Sequence, residues 1–178
     1  MKGFGEIDKY KNKKKIISND FELTKKKAYE FHVKREYLKS INFYKESIKQ
    51  TPNDPDLLCN YGLLLLDIGN LKEAEIYTRK SLELNSENST TYLNLGSILQ
   101  KLGKLTESKK LFIKSIELKP DYAEAYLNLG ITLYHLGDYK EAEKATKKAI
   151  ELKQNFWLAY YHLSKILANM RNYEEAEI

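Results

Sequence analysis

Residues 92–96 read Tyr92-Leu93-Asn94-Leu95-Gly96, and 34 residues later the same phrase returns as Tyr126-Leu127-Asn128-Leu129-Gly130. Gly103 returns as Gly137, and Ile116-Glu117-Leu118-Lys119 returns as Ile150-Glu151-Leu152-Lys153. A period of this length marks stacked copies of one supersecondary unit. Such copies share an elongated core instead of a single globular centre.

Steps of the same length extend the array both ways. Units are expected near residues 21–54, 55–88, 89–122 and 123–156, with an incomplete one at 157–178. Within each unit the apolar residues fall three, four and seven apart, as in Leu58, Tyr61 and Leu65, then Tyr92, Leu95 and Leu99. That spacing makes one stripe of a helix. Gly69, Gly103 and Gly137 each close the first helix, because glycine enters the left-handed conformation without steric cost. Arg171-Asn172 is expected to turn the fifth unit without glycine, and Leu71, Leu105, Tyr139 and Tyr173 to open the second helices. Small residues recur where the paired helices face each other: Gly62 with Ala74, Gly96 with Ser108, Gly130 with Ala142. Pro52 and Pro120 stop the helices before them. The fold expected is all-α, an α–α superhelix of about four and a half helix-turn-helix units.

The first unit is degraded. Lys27 sits at a core position and Arg35 replaces the turn glycine, as suits a polar terminal repeat that caps a solenoid. Residues 1–20 show no periodicity and are expected to form a disordered basic leader. Of the formal net charge of +5, much lies in this leader and in Lys25-Lys26-Lys27. No apolar run is long enough for a membrane span and no signal-peptide core follows Met1, so a cytoplasmic protein is expected. The single cysteine, Cys59, excludes an intramolecular disulfide and reads as a small buried hydrophobe.

These residues resemble the tetratricopeptide repeat family, whose unit is a helix-turn-helix of this period. The resemblance covers nearly the whole chain after the leader. Tyr or Leu stands where the family has tryptophan, and the closing proline is missing from the second and fourth units. It implies a right-handed superhelix whose first helices line a concave groove, with peptides or partner proteins bound there.

The groove residues also follow from helical geometry. At about 100° per residue, a side chain two places after the first core tyrosine points away from the core stripe. Asn60, Asn94 and Asn128 hold that place, with Lys26 and His162 at the two ends. Leu63, Ser97 and Ile131 lie on the same side. Gln100 and Tyr134 flank them at an angle that also suits packing on the neighbouring repeat. The asparagine row is similar to the asparagine ladder of O-linked N-acetylglucosamine transferases, where amides grip the main chain of a peptide. An amide pairs with both N–H and C=O. Two readings stay open: contact with a ligand, or bridges between adjacent helices. A dicarboxylate clamp is not expected, since Lys25 and Asn60 match it but Tyr29, Thr90 and Asn94 do not.

No catalytic site, metal or cofactor is expected. His32, His135 and His162 lack ligand spacing, Cys59 has no histidine nearby, and no phosphate-binding glycine loop follows a strand. Trp157 is expected to pack over the second helix of the fourth unit. The expected function is a non-catalytic scaffold for protein–protein interaction. The peptide-binding residues are Asn60, Asn94, Asn128, Leu63, Ser97, Ile131, Gln100, Tyr134 and His162. Two alternatives are the recognition arm of a larger glycosyl- or sulfotransferase, and a nucleic-acid-associated protein acting through the basic leader. Nucleic acid is the less favoured partner, and no membrane is expected. The uncovered C-terminal end is expected to self-associate or to belong to a longer array.

Overall fold

A computed structural model describes residues 21–176, with the side chains of 172–176 left aside. The leader therefore lies outside the described residues. Nine helices and no strand occur among them. The first helices of the units are α1 (residues 21–33), α3 (Pro55–Asp67), α5 (Ser89–Lys101), α7 (Ala123–Leu136) and α9 (Trp157–Ala176). The second helices are α2 (Tyr37–Gln50), α4 (Leu71–Leu84), α6 (Leu105–Leu118) and α8 (Tyr139–Leu152).

Each helix pair is joined by the same tight turn. Gly69, Gly103 and Gly137 take φ of 80°, 76° and 86°. The amide just after the glycine then reaches back: Asn70 N–H donates to Leu65 O, Lys104 to Leu99, Asp138 to Leu133, at 2.8 to 3.0 Å. This pairing uses carbonyls that the helix end leaves free. The first unit builds the same turn from Arg35, at φ 59°, with Glu36 N–H on Phe31 O at 2.9 Å.

The fifth unit departs from expectation. Helix α9 runs through Arg171 and Asn172 to Ala176, so no turn forms there and no second helix opens at Tyr173. Arg171, at the register position of Gly137, bears the steric penalty of the left-handed conformation that glycine escapes. In the first unit packing holds Arg35 in it: Ser40 Oγ on α2 donates to Ala28 O on α1 at 2.7 Å, and Phe31 stacks on Phe43 at 5.3 Å.

Close approach within pairs rests on the small residues. A methyl group on Gly62 would sit 2.2 Å from Thr78 Oγ1, and one on Gly96 would sit 2.6 Å from the Phe112 ring. The core runs from unit to unit. Ala28 and Tyr44 join Leu57, Tyr61 and Ala74 of the second unit and Ile98 of the third in one cluster.

The first helices also touch one another, α3 with α5, α5 with α7 and α7 with α9. The second helices α4, α6 and α8 make no such close backbone approach. An array close-packed along one side and splayed along the other curves, and α3, α5, α7 and α9 take its inner side.

Trp157 does not pack on the fourth unit; it is 75% exposed. It shares a stripe with Tyr160 and Leu167, which are 51% and 43% exposed, whereas Leu65, Leu99 and Leu133 at the matching position are buried. In every earlier unit a second helix covers that stripe. Phe156, one residue before, takes the packing role instead, against Ala149 and Ala159.

Candidate functional site

The inner face carries the row of amides, and adjacent helices link it. Asn94 on α5 is 6% exposed, and its Nδ2 donates to Cys59 Sγ on α3 at 3.3 Å. Asn128 on α7 donates through Nδ2 to Ser97 Oγ on α5 at 3.2 Å. Gln100 Nε2 reaches across to Thr132 Oγ1 at 2.8 Å and to Asn128 O at 3.4 Å. Asn94, Ser97, Gln100 and Asn128 thus form a polar seam across α3, α5 and α7. Asn60 stands apart from it. It is half-buried and lines an open cleft of about 540 Å³ with Leu23, Lys25, Tyr29 and Tyr44.

The apolar members differ in how far they open. Leu63 lines a second cleft, of about 410 Å³, with Tyr29, His32, Tyr37 and Asp67. Ile131 is half-buried and packs toward Leu127, Ala149 and Ala159 at the junction with the fifth unit. At the far end Tyr134 OH accepts from Asn169 Nδ2 on α9. His162 is half-buried, and burial, with Lys165 and His135 nearby, holds its imidazole below the usual value.

Several partners on this face escaped the sequence reading: Cys59 and Thr132 in the seam, and Asn169 beyond it on α9. One signal could have found two of them. His32 pairs with Asp67, Asn94 with Cys59, and Tyr134 with Asn169, each 35 residues apart. That is one repeat plus one residue, the offset by which an inner-face side chain meets the next first helix. Thr132 announces itself differently, as a hydroxyl at the register position of Leu64, Ile98 and Ile166. His32 proves to be a buried histidine, with Nε2 2.9 Å from Asp67 Oδ2.

Electrostatics tie the entry to α3. Lys25 Nζ lies 2.7 Å from Asp54 Oδ2, while Asp54 Oδ1 accepts from Leu57 N–H at 2.9 Å and so caps the helix. Burial opposes the ionised form of Asp54, yet Lys25 and Leu57 N–H outweigh it and hold the carboxyl below its usual value. Lys25 is thereby engaged within the fold. Burial pushes the Cys59 thiol up, away from the thiolate a nucleophile needs. Among the described residues no group of three or more His, Cys, Asp or Glu is placed to hold a metal ion.

Two models of the tetratricopeptide repeat match the chain, over residues 87–155 and 43–76, together more than half of it. The chain is a tetratricopeptide repeat protein. A TPR repeat-containing protein of Dictyostelium discoideum is 43% identical over 47 residues, which are 26% of this chain and 18% of that protein. The chain thus spans about a fifth of that curated relative's length. Among solved structures, MamA superposes with a TM-score of 0.73 at 26% identity, over 84% of this chain and 87% of that one. YrrB, described as a TPR protein with an unusual peptide-binding site, gives a TM-score of 0.68 at 24% identity, over 75% and 69% of the two chains. No helix among the described residues is long and apolar enough to cross a membrane.

Proposed function

We propose that this chain holds an extended segment of a partner protein along the inner face of α3, α5, α7 and α9. The observation that carries this reading is the polar seam. Its amides and hydroxyls are fixed by bonds between helices, so they meet a ligand already ordered and little freedom is lost on binding. Asn128, half open to solvent, offers its side-chain carbonyl to a peptide N–H, while its Nδ2 is spent on Ser97. Asn60, outside the seam, offers both ends of its amide. The row then works like the asparagine ladder of O-linked N-acetylglucosamine transferases, with one rung changed. Asn94 is withdrawn into the helix contact and acts as a strut. The likeness to YrrB supports the fold, and the chemistry of the inner face supports the ligand class. Binding without chemical turnover is the activity this arrangement favours.

The test separates rungs from strut. Peptides selected from a random phage library on the full chain supply the ligand. Replacing Asn60 and Asn128 by alanine removes two amide bonds to the ligand and is expected to weaken that peptide by about 1–3 kcal/mol, with a modest fall in melting temperature from the lost Asn128–Ser97 bond. Asn94→Ala, at a buried position, is expected to lower the melting temperature further and leave the affinity nearly unchanged. Unchanged affinity in the double variant sinks the groove assignment.

The stripe of α9 favours a second reading. Trp157, Tyr160 and Leu167 present an aromatic and aliphatic surface that pairs with a second copy of this chain. Light scattering over a concentration series checks it: Tyr160→Lys with Leu167→Glu should dissociate the dimer, and a parent chain that stays monomeric throughout removes the reading.

A further inference from the structure

Charge is unevenly placed along the inner face. One register position of successive first helices holds Val33, Asp67, Lys101 and His135, and two others end in His162 and Lys165. Asp67, the carboxylate of this set, is already bonded to His32. Toward the other end, His135, His162 and Lys165 gather where α7 meets α9, with Lys101 one repeat earlier. None of these four forms an ion pair among the described residues. Elsewhere the chain pairs its charges freely, as in Arg79 with Glu107 and Lys109 with Asp138.

Aromatic rings frame these groups. Tyr161 lies edge-on to His162 at 5.3 Å, and Lys165 Nζ stands 5.5 Å from the Tyr161 centroid. Tyr134 meets His135 edge-on at 5.4 Å, and Asn169 holds its hydroxyl. Partial burial and like charge both work against protonating His162. The charges acting on it are Lys165 on its own helix and His135 on α7; α8, packed against both helices, brings none to bear. An anion placed among these three groups would offset both penalties by its attraction for the protonated ring.

We infer that the α7–α9 end of the inner face seats an acidic segment, its Asp and Glu carboxylates against Lys165, His162 and His135, with the Tyr134 and Tyr161 rings alongside. This rests on the peptide-binding reading and deepens it. The amide row holds backbone without regard to sequence, and the cationic end sets which stretch of the partner lies there and which way it runs. Because the bound carboxylates favour protonated imidazole, binding takes up protons and tightens as pH falls through the histidine range.

The test uses the full chain and two fluorescein-labelled hexapeptides, one alternating glutamate with leucine, the other glutamine with leucine. Anisotropy should show the glutamate probe preferred on the order of tenfold at about pH 6, and less so at about pH 8. His162→Gln with Lys165→Gln should erase that preference, so that the variant binds the glutamate and glutamine probes alike. Lys26→Gln with Lys27→Gln, at the opposite end, should leave the preference intact. In NMR the His162 ring should titrate at higher pH with the glutamate probe bound. Equal loss in both variants would assign the preference to general positive charge and overturn the inference. Binding of the glutamine probe without any preference overturns it too, and leaves the peptide-binding reading standing. If neither probe binds, the inference falls, and the library-selected peptides decide the peptide-binding reading.

Discussion

Gly62 and Gly130 sit at one register position, but their neighbours differ. A methyl group on Gly62 meets Thr78 Oγ1 at 2.2 Å, and its next contacts, Ala74 O and Thr78 Cβ, lie at 3.4 Å. The Thr78 hydroxyl is buried without a hydrogen-bond partner, so removing it costs little. On Gly130 the methyl meets Thr146 Oγ1 at 2.3 Å, with Ala142 O and Thr146 N close behind at 3.2 and 3.3 Å. Gly62→Ala is expected to lower stability by about 1–3 kcal/mol, and adding Thr78→Ala to restore most of it. Gly130→Ala with Thr146→Ala should recover less, because backbone atoms remain in the way. Urea midpoints measure all four variants; a Gly62 pair no better than its single variant refutes the account. The small residues were legible from their period alone. The crowding partner was not, since Thr78 and Phe112 occupy the same register position and crowd their glycines with different groups.

At the scale of a helix, the ends were read from the residues that end them. Proline and glycine marked most boundaries because each acts through its own backbone. Four ends lacked those residues; α4 and α8 stop at Leu84 and Leu152 without them, and at the two first helices α1 and α9 local chemistry decided nothing. Arg35 bends the chain because α2 packs back on α1, whereas α9 continues through Arg171. The start of α3 shows how an element is held from outside itself, through Lys25 and Asp54. The folded Asp54 carboxyl lies below its usual value, so its stabilising contribution is present above the unfolded carboxylate range. It is lost as pH falls through the folded value. Lys25→Met should therefore lower the melting temperature at neutral pH, and the difference should vanish in acid. Calorimetry from about pH 7 to about pH 2 checks it; a difference constant across that range would point to lost packing of the lysine stem instead.

Across the whole molecule, the array and its inner face were legible in outline, because helical period assigns a side to each residue without a structure. The pairings on that face were not, since they depend on the offset between neighbouring units, a property of the superhelix and not of any one helix. Asn94 illustrates the difference: its angle on α5 is that of a groove residue, yet Cys59 of the preceding unit draws it inward. The same stacking shapes the outer side. Arg79 reaches Glu107 at 2.6 Å and Lys104 reaches Glu75 at 3.0 Å, so α4 and α6 meet through long charged side chains instead of packed backbone. Lys104 and Arg79 outweigh the effect of burial and hold the Glu75 carboxyl below its usual value. Salt near 1 M, with a screening length of about 3 Å, weakens such exposed pairs far more than the packed inner side. Small-angle scattering should then show the molecule changing its bend at high salt while its helix content holds. Glu75→Gln with Glu107→Gln should show the same change already at low salt; identical profiles in all conditions would reject this. Mechanically, the chain is a leaf spring whose stiff leaf runs along α3, α5, α7 and α9. Flexing it should alter the outer gaps first and leave the spacing of Asn60 and Asn128 nearly constant. On the function proposed above, partners of different curvature would meet Asn60 and Asn128 at one spacing.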